Sequence, residues 1–158
     1  MKNIKVEIAP DAKAEIIEGL HQSLAETTIA TLKAQNFHWN VTGMSFGALH
    51  DLFQKIYEDH FSAQDELAER VKALDGHADG RFSEFLKRSS ISEADTSQPA
   101  AKAMVETLKS DQETLSATLR ALAEISEKHG DLVTNDLAIE RADAHDKFAW
   151  MLRAHLAG

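Results

Sequence analysis

Four side chains in the first half of the chain carry ligand chemistry: His38, His50, Asp65 and Glu69, separated by 12, 15 and 4 residues. Two imidazoles and two carboxylates form a mixed nitrogen and oxygen donor set that suits iron(II), manganese, zinc or cobalt. The absence of sulfur argues against a purely structural zinc site. Asp65 and Glu69 stand at i and i+4 on a predicted helix, so their carboxylates share a face and can converge on one ion. His38 ends one predicted helix and His50 opens the next across a short turn, residues 40–45, which lets the imidazoles approach each other. His50 and Asp65 are a different matter. Fifteen residues of continuous helix hold them about 22 Å apart along its axis, so no single ion touches both within one chain. Either there are two half-sites of unrelated purpose, or the histidine pair of one copy meets the carboxylate pair of another. The second arrangement makes the site intersubunit, most simply across a two-fold interface that builds two identical sites.

These residues need long helices to hold them, and the sequence supplies four. The first spans about 11–39, with Ile16, Leu20, Leu24 and Leu32 at multiples of four. The second, about 46–74, carries Leu49, Leu52, Phe53, Ile56, Leu67, Val71 and Leu74 at spacings of three and four, with Gly76 as its stop. The third, about 98–129, has Val105, Leu108, Leu115, Leu119, Leu122 and Ile125 and ends in Lys128, His129 and Gly130, as helix C-termini favour. The fourth starts after Asp131 as N-cap and carries Val133, Leu137, Phe148, Met151 and Leu152. Pro10 and Pro99 stand where helices start. The connection 76–97 is polar and turn-rich, holds one short helix near 82–87, and is long enough for the second and third helices to run parallel. The expected fold is all-α: residues 1–158 form one ferritin-like four-helix bundle with a long crossover, preceded by a short extension, 1–10. A di-iron centre inside such a bundle takes two Glu-x-x-His motifs, and this chain has one, at Glu18 and His21.

Composition narrows the function classes. The chain has 158 residues, 43 % hydrophobic and 27 % charged, and no cysteine, which excludes disulfides, iron–sulfur clusters and thiol nucleophiles. No apolar run reaches membrane-spanning length, and the first residues lack a signal peptide's apolar core, so no membrane partner is expected and the cytoplasm is the expected location. The net charge of −9 disfavours nucleic acid and favours cations.

The segment NFHWNVTGMSFGALH (36–50), continuing to DELAER (65–70), resembles the signature of the Dps miniferritins, the DNA-binding proteins from starved cells. The stretch DKFAWMLR (146–153) is similar to their last helix, and the helix pattern agrees over nearly the whole chain. The resemblance implies a four-helix bundle with a short helix in its middle connection, twelve subunits forming a hollow shell, and ferroxidase sites at dimer interfaces. It assigns the metal ligands as His38 and His50 from one subunit with Asp65 and Glu69 from the other. It further implies oxidation of iron(II) to iron(III), preferably by hydrogen peroxide, and storage of ferric mineral that protects against oxidative damage.

Several residues qualify that picture. Trp39, beside His38, is a candidate electron donor to a stray oxidising intermediate. Gln54 stands where some members of the family carry a further carboxylate, which weakens the hold on a second iron. Asp131, Asp136 and Glu140 make a candidate negative stripe lining an acidic pore. Glu58, Asp59 and Glu66 read as solvated surface; His21, His60, His77, His129, His145 and His155 as surface or hydrogen-bonded residues; and Trp150 as a core or interface anchor. The runner-up function is a nucleoid-compacting DNA protector, but the first ten residues offer only Lys2 and Lys5, and twelve copies at −9 each carry −108.

Overall fold

The structure, a computed structural model, describes residues 7–157. Lys2 and Lys5 lie outside the described residues. The elements are α1 (Pro10–Asn40), α2 (Phe46–Ala73), α3 (Phe82–Arg88), α4 (Ala101–Lys128) and α5 (Leu132–Leu156), with no strand among the described residues. Cross-helix contacts fix the directions. Lys33 on α1 meets Asp111 on α4 at 2.9 Å, and Glu15 near the start of α1 meets His129 just beyond α4 at 3.0 Å, so these helices are antiparallel. Asp59 meets Arg141 at 2.7 Å and Arg70 meets Asp131 at 2.9 Å, so α2 and α5 are antiparallel too. Since α1 and α2 are joined by the tight turn 41–45, α2 and α4 run parallel. The long connection between them carries α3, which packs against α1. This is the expected crossover.

Helix ends explain most departures from the expected boundaries. Pro10 is the first residue of α1, whereas Pro99 stays outside α4, which begins after Ala100 in an extended conformation. At the end of α4, Gly130 adopts φ +74°, and the N–H groups of Gly130 and Asp131 return to the carbonyls of Glu127 and Ser126. The end of α2 makes the same pair of bonds, but there the left-handed residue is Asp75, at φ 66°, not Gly76. Gly76 is needed for space: a Cβ on it would lie 2.8 Å from Val71 Cγ1.

Two apolar clusters fill the bundle. One joins Ile16, Leu20, Leu24, Leu67, Val71, Leu115, Leu119 and Leu122 at one end. The other joins Phe37, Leu49, Phe53, Ile56, Met104, Leu108 and Leu152 at the end that holds the 41–45 turn. Leu32 belongs to neither and is half exposed. Residues spaced by four precess about 40° per step around a helix, so Leu32 has rotated off the buried face that Leu24 shares with Ala30 and Ala34. Val133 and Met151 are likewise exposed, because α5 turns Ala138, Ala142, His145, Ala149 and Leu152 inward. Trp150, 59 % exposed, is no anchor of the chain's own core.

Between the clusters lies a buried polar layer. His60 donates from Nδ1 to Asp59 at 3.0 Å and accepts at Nε2 from the Gln112 amide at 3.0 Å. His145 donates from Nδ1 to Gln112 Oε1 at 2.7 Å, and its Nε2 faces Arg141, which also grips Asp59. Burial pushes both imidazoles below their ordinary pKa, outweighing the Asp59 charge that opposes it. Burial alone would raise the Asp59 carboxyl, but hydrogen bonds from His60 and Arg141 hold it well below the usual carboxylate range. Asp59 is therefore not the solvated surface acid the sequence suggests. A helix position beside the core reads as surface until its cation, here on α5, is located.

Asp131 caps α5 by accepting from Thr134 N at 3.0 Å, and it also pairs with Arg70; it is buried. That removes it from any solvent-facing acidic stripe, while Asp136 and Glu140 remain exposed one turn apart. Asp131→Ala is expected to cost about 2–3 kcal/mol, the cap plus the orphaned guanidinium. The loss should appear as a lower urea midpoint with an unchanged slope.

Candidate metal centre

The turn between α1 and α2 brings His38 and His50 together. Val41 leaves the helix in an extended conformation, and Gly43 at φ +105° reverses the chain where a side chain would be strained. The two imidazoles stack with centroids 3.7 Å apart and planes inclined by 18°. Their hydrogen bonds are reciprocal: His38 Nδ1 donates to the His50 carbonyl at 2.7 Å, and His50 Nδ1 donates to the His38 carbonyl at 2.8 Å. Since a carbonyl only accepts, each Nδ1 carries the proton and each Nε2 keeps its lone pair for a ligand. His38 is buried and His50 partly so. Aromatic rings close the stack on both sides, Phe46 against His50 at 5.1 Å and Tyr57 against His38 at 5.2 Å.

The lone pair of an imidazole lies in its ring plane. Stacked rings with centroids 3.7 Å apart and planes inclined by only 18° do not direct their in-plane lone pairs to one point within metal-bonding distance. The stack therefore offers one nitrogen to each of two ions, not two nitrogens to one.

Asp65 and Glu69 are both exposed, on one face of α2 and far along the helix from His50. Because α2 is unbroken from Phe46 to Ala73, the separation of about 22 Å holds. Among the described residues, no three His, Asp or Glu side chains converge closely enough to hold an ion within one chain. Asp65 borders an open groove between α1, α2 and the start of the long connection, lined by Leu24, Thr28, Phe61 and Phe82. Phe61 and Phe82 are 70 % and 69 % exposed, an apolar surface next to a charged pair.

Gln54 bonds Glu58 at 2.8 Å. Glu18 pairs with Arg88, and His21 bonds the His77 carbonyl at 2.8 Å, so that motif is engaged in packing the crossover. Trp39 faces outward, 65 % exposed. Two features escaped the sequence reading. Tyr57 sits two turns after His50 on the same face, a spacing that reveals it once His50 is chosen. The His60–Gln112–His145 layer joins three helices, and no local spacing announces it.

Residues 17–158 match the Ferritin family, described as a ferritin-like domain. The chain is 36 % identical over 142 residues to DNA protection during starvation protein 2 of Bacillus anthracis, covering 90 % of this chain and 97 % of the relative. It is 37 % identical over 145 residues to the DNA protection during starvation protein of Porphyromonas gingivalis, covering 90 % and 89 %. Among solved structures, Dps from Staphylococcus aureus superposes with a TM-score of 0.89 at 35 % identity, over 92 % of this chain and 97 % of that one. A Dps protein from Vibrio cholerae O1, described as a member of a broad superfamily of ferritin-like diiron-carboxylate proteins, gives 0.91 at 27 % identity, over 99 % and 98 %. With the resemblance carried through the whole fold, the chain belongs to the Dps family of ferritin-like proteins.

Proposed function

We propose that this protein is a ferroxidase and iron store: it oxidises iron(II), preferably with hydrogen peroxide, at sites shared between two copies, and keeps the ferric product inside a hollow homo-oligomer, a dodecamer. The observation that carries the reading is the pairing of two locked imidazoles, each with a free Nε2, and two exposed carboxylates that the same helix keeps too far away to complete the site. The apolar groove beside Asp65 supports the same conclusion, since a second copy would cover it.

Iron(II) is substrate here. Imidazole nitrogen and carboxylate oxygen bind it while leaving positions open to the oxidant. With one ion on each histidine, the site delivers two electrons together, one from each ferrous ion. The peroxide O–O bond breaks, both oxygens take up protons and leave as water, and no hydroxyl radical is released. Gln54 adds no negative charge to the histidine side, so the second ion binds more weakly than the first. Asp136 and Glu140 draw cations towards the shell.

The test is anaerobic loading with two ferrous ions per chain followed by stoichiometric hydrogen peroxide. Ferric absorbance is expected at one peroxide per two irons. A protein that binds the metal without any ferric product is a sink, and the proposal fails.

A further inference from the structure

In the crossover the chain reads Lys87, Arg88, Ser89, Ser90, Ile91, with two basic side chains shortly before a serine and an apolar one directly after it. Serine kinases that select substrates by positive charge read this spacing. The structure leaves that serine within reach. α3 ends at Arg88, the chain turns at 89–91, and Ser90 is exposed outside any helix. With only 7 residues, α3 unwinds readily enough to present Lys87 and Arg88 as well. Ser89 is occupied in closing the turn: its Oγ donates to the Ile91 carbonyl at 2.8 Å and accepts from the Ile91 N–H at 2.9 Å. The turn also lies outside the groove beside Asp65, whose lining takes Phe82 and Phe85 from α3 but not Ser90.

The Ser90 hydroxyl donates to Glu26 Oε1 at 2.7 Å, and the Gln22 amide donates to the same oxygen at 3.1 Å. Glu26 is fully buried, both of these donors are uncharged, and its Oε2 has no hydrogen-bond partner. Nearer the start of α1, Glu18 pairs with Arg88. These two contacts are the polar ties between the turn and α1. We propose that Ser90 is a phosphorylation site, and that phosphate on it releases the end of α3 from α1. The γ-phosphoryl group of ATP passes to Ser90 Oγ. The new P–O bond forms as the bond to the β-phosphate oxygen breaks, the hydroxyl proton leaves to the kinase's base, and ADP departs. Glu26 then loses a donor and faces a group of about two negative charges, where little water screens the repulsion. Arg88, whose buried Nε–H has no acceptor, turns from Glu18 to the phosphate beside it. Both ties are lost in one step, and Phe82 and Phe85 loosen with the helix.

The full chain is incubated with the catalytic subunit of cyclic-AMP-dependent protein kinase and magnesium ATP, and the product is mapped by mass spectrometry. A single phosphate at Ser90 is expected, with none in Ser90→Ala. Transfer should be slower in Lys87→Gln, which removes an exposed lysine outside both ties. Chymotrypsin should then cut after Phe82, Phe85 or Leu86 about tenfold faster than in the unmodified chain, as stripping a buried carboxylate of its donor implies. That acceleration should shrink in Glu26→Gln, where the repulsion is gone and Oε1 still accepts. Phosphate on another serine, no uptake, or transfer indifferent to Lys87→Gln overturns the site. Phosphate at Ser90 with unchanged cleavage, or with the same acceleration in Glu26→Gln, overturns the release.

Discussion

Two inactive variants, mixed, should make an active protein. Replacing both histidines, His38→Gln with His50→Gln, and separately both carboxylates, Asp65→Asn with Glu69→Gln, is expected to lower peroxide-dependent ferrous oxidation by at least about 100-fold in each case. Losing a supporting residue already costs 10–100-fold in affinity or activity, and the proposed function makes these four the ligands themselves. In a dimer of one variant with the other, one site combines both lesions while the second combines an intact histidine pair with an intact carboxylate pair. Random re-association of equal amounts makes half the dimers mixed, so about a quarter of all sites should work. Recovery near that level, read as initial rate of ferric absorbance after refolding the variants together, is the signature of a shared site. No recovery, with assembly verified by gel filtration, places each site within one chain and refutes the shared arrangement.

Acid should loosen this bundle while its surface carboxylates are still ionised. His60 and His145 are held below their ordinary pKa of 6.5, chiefly by burial, so the folded chain keeps them neutral when the unfolded chain protonates them. The unfolded state then binds more protons, and stability falls as pH drops below about 6.5. Each imidazole contributes about 1.4 kcal/mol per pH unit below that point, until its folded value is reached. The hydrogen bonds explain why the layer tolerates no extra proton. Protonated His60 would set an N–H against the Gln112 amide, and turning that amide to suit would set His145 against the Arg141 guanidinium. Asp59 adds stability above its unfolded value of 3.8 that disappears only at much lower pH. Urea midpoints taken at about pH 7.5 and about pH 5.5 should therefore differ markedly. Arg141→Leu should cost about 3 kcal/mol at neutral pH, because it strands Asp59 and the Nε2 of His145. A midpoint flat across that range would mean that water reaches the layer.

The helices were legible because leucine and isoleucine recur on α2 and α4 with helical period, and Leu49 to Leu74 are buried as the spacing requires. The placement of the candidate ligands was legible for the same reason: two histidines flanking a short turn and two carboxylates one turn apart state their geometry locally. What failed to show was long-range. The inward face of α5 carries three alanines, Thr134, Arg141, His145 and a single leucine, Leu152, so its exposed Val133 and Met151 gave the stronger but misleading hydrophobic signal. Asp59 and His60 looked like ordinary polar positions, since the partners that bury them stand 82 and 52 residues away. Leu32 misled by fitting a spacing of four, which slowly leaves the face it began on.

The two candidate ligand imidazoles also clasp the hairpin they stand on. Each ring spends its Nδ1 proton on the other's main chain and keeps its Nε2 lone pair, so fastening the turn and offering a ligand atom do not compete. Under the proposed function, a subunit that releases its iron would need no backbone change before binding it again. The same economy carries a penalty for mutagenesis: truncating either imidazole removes a donor and unbuttons the turn together, so only a replacement that restores the amide-like bond separates the two losses.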